Sequence, residues 1–252
     1  MNLQSHFPDH FSATAEDYAR YRPRYPAQLY EFLASLCQRR ELAWDCGTGS
    51  GQAALGLAAH FQRVVATDAS RRQIENALPH PKVLYRVAQA EDSGLESARA
   101  DLVTVAQALH WLDLSRFYPE ARRVLVSGGI LAAWCYNRLT VDASVDAVIG
   151  RYYEEIVGPY WPAERSLVEK GYASLPFPFD PVETPAFSME ESWVLPRLSG
   201  YLSTWSATHR FREATGRNPL EMIQDELEMA WGDPQARRSV RWPLSLRVGR
   251  MA

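Results

Sequence analysis

Short apolar runs recur along the first half of the chain, at a spacing typical of β-strands separated by helices. Segments between them place apolar residues at helical spacing, notably 52–59 and 115–126, and the second of these ends at Gly128 and Gly129. Strands that alternate with helices predict a mostly parallel sheet with helices on both faces, a doubly wound α/β fold. The predicted strands are residues 42–45, 63–67, 83–87, 102–106 and 130–134.

The pattern changes after Asn137. A Pro- and aromatic-rich stretch covers residues 159–185, and the alternation at 240–248 predicts a closing strand. Because no linker is long enough to separate two independent domains, we expect this half to be a helical insertion between late strands of the same sheet. Its predicted helices are residues 141–157, 195–208 and 219–231.

The sharpest chemical signal is a glycine loop between the first strand and its helix, where residues 45–51 are Asp-Cys-Gly-Thr-Gly-Ser-Gly. Glycines permit a tight turn and a close approach of the backbone to a ligand, at the carboxyl end of the sheet where open α/β folds bind ligands. Asp68 ends the second strand, where an acid can accept hydrogen bonds from two ribose hydroxyls. The loop and the acid together predict a nucleotide-like cofactor.

The spacing of the loop discriminates between cofactors. A dinucleotide fingerprint is GxGxxG, whereas this loop has Asp45 followed by GxGxG. A carboxylate at this place would repel a pyrophosphate and would suit an ammonium or a sulfonium, directly or through water. The residues therefore favour S-adenosylmethionine (SAM) over NAD.

Composition narrows the range of partners. The chain has 252 residues, a formal net charge of -3 and no clustered basic stripe, so we expect no nucleic-acid partner. It has 3 cysteines and no CxxC pair, so neither a disulfide framework nor a metal site is expected. No signal-like N-terminus and no apolar run of membrane-spanning length occurs, which predicts a cytoplasmic protein without a membrane partner. Nothing in the sequence specifies an oligomeric state.

Several segments besides the glycine loop resemble those of class I SAM-dependent methyltransferases. A narrower resemblance is to the branch with a methyltransferase type 11 domain that includes trans-aconitate and cantharidin methyltransferase-like proteins. It covers nearly the whole chain and implies a Rossmann-like methyltransferase fold, SAM as cofactor and a small-molecule acceptor. The resemblance rests on residues 18–26 (Tyr-Ala-Arg-Tyr-Arg-Pro-Arg-Tyr-Pro), 45–51, 89–91, 106–111, 123–129 and 205–209.

The resemblance implies cofactor contacts at Gly47, Gly49 and Asp68 and at the Gln89–Ala90–Glu91 segment. Many methyltransferases carry Asp where Gln89 stands, in contact with the adenine amino group. A Gln carbonyl accepts the same hydrogen bond, although an exposed loop amide is an equal alternative.

Three residues at the end of the fourth strand complete the predicted site. Gln107 is expected to face the methionine half of SAM. Trp111 can present a π face to the sulfonium or belong to the core. His110 is the candidate catalytic residue that deprotonates an acceptor, with a loop histidine bonded to the backbone as the alternative.

Cationic and aromatic residues near the N-terminus supply the acceptor-side candidates. Residues 11–26 lack a period of their own, which favours a lid over the cofactor cleft or, alternatively, a surface strap. Within this segment, Tyr21, Arg22 and Arg24 are predicted to face the acceptor, because guanidinium groups match carboxylates. His209, at a predicted helix end, is a second-tier candidate that a solvated helix end explains equally well.

These observations predict a SAM-dependent methyltransferase acting on a small molecule. A carboxylate acceptor needs no strong base, and the chain offers no dyad beyond His110, which favours carboxyl O-methylation. A dinucleotide-dependent oxidoreductase and a SAM-binding protein without activity stay open as alternatives. The predicted division is residues 1–40 as lid segment and helix, 41–138 as SAM-binding core, and 139–252 as helical substrate-side elaboration with the last strands.

Overall fold

The computed structural model describes residues 21–252, and in this part of the chain eight strands form a single mostly parallel sheet. The strands are β1 Leu42–Cys46, β2 Arg63–Asp68, β3 Val83–Val87, β4 Ala100–Ala106, β5 Leu125–Tyr136, β6 Asp180–Pro181, β7 Phe187–Trp193 and β8 Arg238–Arg250. Their order in the sheet is β3-β2-β1-β4-β5-β8-β6, and β7 also pairs with β8. Strands β1 to β5 run parallel to one another, whereas β8 runs antiparallel to β5, β6 and β7. This confirms the doubly wound α/β fold.

Burial along the strands follows their place in the sheet. Every residue of the central strand β1 is buried, and β4 is buried except at its last residue, because helices cover both faces. The edge strand β3 has no buried residue. The apolar core therefore lies on both sides of the middle strands, and their carboxyl ends are held rigidly where the cavity opens.

Helices and single turns connect the strands. Ser70 caps the helix Arg71–Glu75, since its hydroxyl accepts a hydrogen bond from the Gln73 backbone N–H. Among residues 21–252, no helix has the length and apolar character needed to cross a membrane. The α-helices are α1 Ala27–Ser35, α2 Gln52–Leu57, α3 Arg71–Glu75, α4 Leu114–Val124, α5 Ala143–Arg151, α6 Arg165–Glu169, α7 Leu195–Ser203, α8 Ser206–Thr215 and α9 Gln224–Trp231. A π turn at Tyr152–Ile156 extends α5, and 3-10 turns lie at Leu109–Trp111, Gly158–Tyr160 and Pro219–Met222.

The predicted end of the helix that follows the fourth strand is wrong. The helix α4 ends at Val124, and Gly128 and Gly129 lie inside β5. Gly128 has φ +74, and the pairing register between β4 and β5 shifts at this point. The glycine pair thus accompanies an irregularity in a long strand rather than the end of a helix.

The second half departs further from the predicted pattern. The helix predicted at 195–208 is two helices, α7 and α8, separated at Thr204 and at Trp205, whose backbone is extended. Strand β7 was not predicted, because its sequence is polar and only Met189 and Trp193 are buried. Its pairing with β8, about 50 positions away, supplies the order that its own pattern does not indicate.

Candidate functional site

A cavity of about 560 Å³ opens at the carboxyl ends of β1, β2 and β4, the place where open α/β sheets bind ligands. The glycine loop, the end of β2, the segment after β3 and the turn after β4 all contribute to its wall. Of the predicted site residues, those that line it are Gly47, Gly49, Asp68, Gln89, Ala90, Glu91, Gln107, His110 and Trp111.

The glycine loop has a backbone that side chains would not permit. Gly47 has φ +66, and a Cβ there would lie 2.7 Å from the Ala108 Cβ. Gly51 has φ +89, and a Cβ there would lie 2.4 Å from the Tyr85 hydroxyl. The loop therefore fits closely against the end of β4 and against β3, and Gly47 and Gly49 bring its backbone to the cavity wall.

Asp68 joins the end of β2 to the glycine loop. Its carboxylate accepts hydrogen bonds from the Gly49 backbone N–H at 2.8 Å and from the Ser70 backbone N–H at 2.9 Å. Two carboxylate oxygens have about four acceptor sites, so capacity for further donors stays available. The ribose contact of Asp68 stays a prediction that this geometry permits.

Asp45 lies behind the loop and is not among the cavity-lining residues in the described part of the chain. It is fully buried, and it accepts hydrogen bonds from the hydroxyls of Thr48 at 2.5 Å and Thr104 at 2.8 Å. Burial raises the pKa of Asp45 to about 6, although these hydroxyls and the Ala54 backbone N–H oppose the rise. The structure thus gives no direct cofactor contact to Asp45, which can act through the loop it holds and through its charge.

The segment after β3 forms another part of the wall. Ala90 is buried, while the exposed Gln89 makes an isolated bridge with Asp92. The Glu91 carboxylate accepts a hydrogen bond from the Asp113 backbone N–H at 2.9 Å. The turn that begins α4 is thereby held against the segment predicted to contact adenine.

Gln107 adopts a left-handed backbone at φ +55, which is uncommon for a residue other than glycine. Its backbone N–H donates to the Trp134 carbonyl at 2.8 Å, and its side-chain amide donates to the Tyr136 carbonyl at 3.0 Å. Strain of this kind concentrates at functional sites. Tyr136 and Tyr25 also line the cavity. The sequence did not indicate Tyr136, and it included Tyr25 only as part of the predicted lid segment.

Residues 21–26 cross the α2 end of the cavity. Arg22 donates a hydrogen bond to the Tyr136 hydroxyl at 3.0 Å, and its guanidinium lies 5.4 Å from the centre of the Tyr201 ring. Gln52 donates to the Pro23 carbonyl at 2.5 Å, which ties this stretch to the start of α2. The structure therefore brings Arg22 to a residue that lines the cavity.

The other predicted acceptor-side residues lie elsewhere. Arg24 is exposed and contributes its backbone N–H to Glu191, while the ring of Tyr21 packs over Gly200. His209 is half-buried within α8. None of these three residues is among those that line the cavity in residues 21–252. The predicted lid also includes residues 11–20, which lie outside the described residues.

His110 lies between the cavity and a buried tyrosine. Its Nδ1 is 2.8 Å from the Tyr172 hydroxyl, and its ring packs against Trp111 with centroids 4.8 Å apart. Burial, with a smaller contribution from the charge of Arg165, lowers the pKa of His110 to about 3. His110 is therefore neutral across the physiological pH range.

Arg165 is another candidate functional residue that the sequence did not indicate. Its guanidinium donates to the Tyr153 hydroxyl at 2.6 Å and to the Asn137 side-chain oxygen at 2.7 Å. It also lies 4.8 Å from the centre of the Trp161 ring. These contacts hold a positive charge near His110, beside Glu164 on the cavity wall.

The charge of the cavity wall suits a cationic ligand. In the described part of the chain, the carboxylates that line it belong to Asp68, Glu91, Asp113 and Glu164, against the single guanidinium of Arg116. Such a wall favours the ammonium and sulfonium of SAM and disfavours a pyrophosphate. The close-fitting glycine loop, the volume and this charge together fit SAM. No cluster of His, Cys, Asp and Glu within residues 21–252 has the arrangement of a metal site.

Comparison with known proteins agrees with this reading of the cavity. Residues 44–133 match the family described as a methyltransferase domain. A protein of Dictyostelium discoideum described as a methyltransferase is 36% identical over 229 residues, which cover 89% of this chain and 87% of that protein.

Solved structures agree in fold. The structure of a type II methyltransferase from Anaeromyxobacter dehalogenans superposes with a TM-score of 0.87 at 48% identity, covering 91% of this chain and 98% of the other. A methyltransferase from an antibiotic biosynthesis pathway of Anabaena variabilis, at 16% identity and TM-score 0.52, covers 86% of this chain and 98% of its own and shares the fold.

Proposed function

This chain belongs to the class I SAM-dependent methyltransferases, and on that premise we propose that it methylates a carboxylate oxygen of a small organic acid. Membership of this family decides against a dinucleotide-dependent oxidoreductase. SAM supplies a methyl group that its sulfonium activates towards a nucleophile. The chain has to bind both partners, exclude water and align the acceptor oxygen with that methyl group.

We assign the cofactor to the wall that includes the glycine loop. Backbone groups at Gly47 and Gly49 form its floor, and Asp68 receives the ribose hydroxyls. The Gln89–Ala90–Glu91 segment contacts the adenine, while Gln107 and Trp111 face the methionine half. In this assignment residues 41–138 are the SAM-binding core, residues 1–40 supply the lid and its helix, and residues 139–252 form the substrate side.

The observation that carries the choice of acceptor is the pairing of Arg22 with Tyr136 at the cavity wall. A guanidinium bonded to a residue of the cavity wall supports this choice, because a guanidinium matches the carboxylate of a bound acid. Arg165 adds a second positive charge near His110. The neutral His110 is a weak base, and a carboxylate is already ionised at neutral pH, so its methylation requires no proton removal.

The resemblance of residues 18–26 and 106–111 to the trans-aconitate methyltransferase branch supports the same choice, because aconitate is a small carboxylic acid. A second candidate rests on a different observation. Glu164 lines the cavity beside Arg165, and its carboxylate can take the proton that a phenol or an ammonium loses on methylation.

A labelled-SAM assay separates the two candidates. The panel pairs small carboxylic acids with the phenols and amines of the same carbon skeletons. We expect the acids to become labelled, as esters that base hydrolyses. The rate should change little between about pH 6 and 9, because the carboxylate of the substrate stays ionised and His110 stays neutral in that range. The alternative outcome is label in phenols or amines, at a rate that rises with pH, together with loss of that activity in Glu164→Gln. This outcome would favour the second candidate, with Glu164 as the base, over a carboxylate acceptor.

A further inference from the structure

Tyr172 is a buried tyrosine that holds the cavity histidine from behind. It lies just after α6, is fully buried and has φ +62, a strained backbone for a tyrosine. Its hydroxyl lies 2.8 Å from the Nδ1 of His110. It does not line the cavity in the described part of the chain, whereas His110 does. Nδ1 of the imidazole therefore points into the protein, and Nε2 is the ring nitrogen left for the cavity.

The direction of this hydrogen bond follows from the surroundings of the hydroxyl. In the described part of the chain, Nδ1 of His110 is the hydrogen-bond partner of the Tyr172 hydroxyl, and no second one is present. The hydroxyl is fully buried, so its proton needs an acceptor inside the protein. Nδ1 is the acceptor within reach, and the proton of the hydroxyl therefore points to Nδ1.

The opposite arrangement is costly. If Nδ1 carried the proton, the Tyr172 hydrogen would be buried with no acceptor. The observed contacts are all satisfied when Nδ1 accepts. An imidazole that accepts at Nδ1 and is neutral carries its proton at Nε2.

We propose that Tyr172 positions His110 as the neutral tautomer protonated at Nε2, so that His110 donates a hydrogen bond to the acceptor oxygen instead of removing a proton. Tyr172 is then a positioning residue, and His110 is a specificity-determining donor for an oxyanion. The identity of that oxyanion as a carboxylate rests on the proposed function, whereas the tautomer does not.

The charges around the ring are consistent with a donor. Arg165 approaches the imidazole from α6 and disfavours the imidazolium, while burial raises the pKa of Tyr172 well above its ordinary value and keeps that hydroxyl protonated. Buried Cys135 lies beside Tyr172, and Glu164 faces the cavity. A neutral Nε2–H presents one donor to an anionic acceptor, and the nearby positive charge of Arg165 adds to the attraction.

The tautomer can be observed without any acceptor. The full chain is labelled with ¹⁵N-histidine, saturated with S-adenosylhomocysteine (the demethylated form of SAM), and studied by two-bond ¹H–¹⁵N correlation NMR. The His110 signals are assigned by their loss in His110→Gln. We expect the pattern of a neutral ring protonated at Nε2, unchanged between about pH 5 and 8. A ring protonated at Nδ1, or one that titrates near its ordinary pKa of about 6.5, overturns the proposal.

Two tyrosine variants separate positioning from general packing. Tyr172→Phe removes the donor to Nδ1, so we expect the His110 signals to become those of a tautomer mixture. Tyr118→Phe is the matched control, because the Tyr118 hydroxyl is also bonded inside the protein, to the Pro176 carbonyl at 2.6 Å. It should leave the His110 signals in place. A shift of equal size in both variants would reduce Tyr172 to a packing residue and overturn the assignment.

Substitutions of His110 test what the ring does in turnover with small acids. A Gln side chain keeps an N–H donor, whereas Phe does not. We expect the KM for the acid to stay within about threefold in His110→Gln and to rise about 10- to 100-fold in His110→Phe, with unchanged affinity for S-adenosylhomocysteine. An equal loss of kcat in both variants would make His110 a base and overturn the proposal. If the enzyme methylates no acid of the panel while NMR still shows His110 protonated at Nε2, the carboxylate acceptor is wrong and the proposed tautomer still holds.

Discussion

The two walls of the cavity are built in different ways. The wall that we assign to the cofactor is built around the backbone of the glycine loop, a run of consecutive residues between β1 and α2 in which Gly47 and Gly51 leave no room for a Cβ. The wall that we propose for the acceptor depends on side chains from distant parts of the chain, since Arg22 bonds Tyr136 and His110 bonds Tyr172. The first wall suits a ligand that a whole family shares. In the second wall, single substitutions can alter which acceptor binds.

This difference predicts how the walls respond to substitution. A change in the backbone-built wall should affect the affinity for SAM, whatever the acceptor is. A change in the side-chain wall should affect the KM of the acceptor and leave the cofactor in place. The following experiments test that separation, from the largest expected effect on ligand binding to the smallest.

The largest effect is expected for Gly47→Ala. The new Cβ would lie 2.7 Å from the Ala108 Cβ, which has no flexible end to move away, and the φ of +66 adds strain of about 1 kcal/mol. We expect the affinity for S-adenosylhomocysteine, measured by titration calorimetry, to fall by about 100-fold or more.

A second glycine provides the control. Gly216 has a closely similar φ of +68, but a Cβ there meets nothing within 4 Å. Gly216→Ala should therefore lose about 1 kcal/mol of stability through strain and keep its ligand affinity. Equal affinities in the two variants would show that the close approach of the loop to β4 does not shape the cofactor wall.

Asp68→Ala should have the next largest effect. It removes the proposed ribose acceptors and also the bonds to the Gly49 and Ser70 backbones. Two net hydrogen bonds contribute about 0.5–1.5 kcal/mol each, so we expect SAM affinity to fall roughly 5- to 150-fold in a folded variant. Isothermal titration with SAM measures this affinity. An unchanged affinity would mean that Asp68 only holds the glycine loop and does not bind the ribose.

Arg22→Leu tests the side-chain wall. If its guanidinium pairs with the acceptor, the KM for a small acid should rise about tenfold, as one charge-assisted hydrogen bond is lost, while SAM affinity is unchanged. Arg24→Leu is the matched control, since that side chain is exposed and only its backbone N–H bonds Glu191. If SAM affinity falls by a larger factor than the acceptor KM rises, Arg22 contributes to binding the cofactor rather than the acceptor.

Asp45→Asn should affect stability more than binding, because Asp45 does not line the cavity in the part of the chain described. Burial raises its pKa in the folded state to about 6, above the ordinary value of 3.8. The folded state then holds the proton more tightly than the unfolded state, so this group favours folding most below pH 4 and loses that contribution as pH rises to about 6.

Thermal unfolding at several pH values measures this effect. The Tm of the wild type relative to Asp45→Asn should fall between about pH 4 and 6 and stay level above that range. A difference in Tm that rises with pH would mean that hydrogen bonds from Thr48 and Thr104 outweigh burial at this carboxylate.

The central strands and the glycine loop were predicted from the sequence because their signals are local. Residues 83–87 were predicted as a strand with the bounds that β3 has. The pattern failed where pairing decides the structure, as in the polar strand β7, and where a glycine pair sits inside a strand. Of the predicted acceptor-side residues, Arg22 bonds Tyr136 on the cavity wall, whereas Arg24 points its side chain to solvent.

The sequence by itself determined the alternation of strands and helices, the backbone freedom of the loop and the acid at the end of β2. Each of these depends on residues a few positions apart, whose conformational preferences do not require the rest of the chain. Tertiary structure decided the burial of Asp45 and the partners of Arg22 and His110. Those partners lie 114 and 62 positions away, and only the path of the folded chain brings such groups within hydrogen-bond distance.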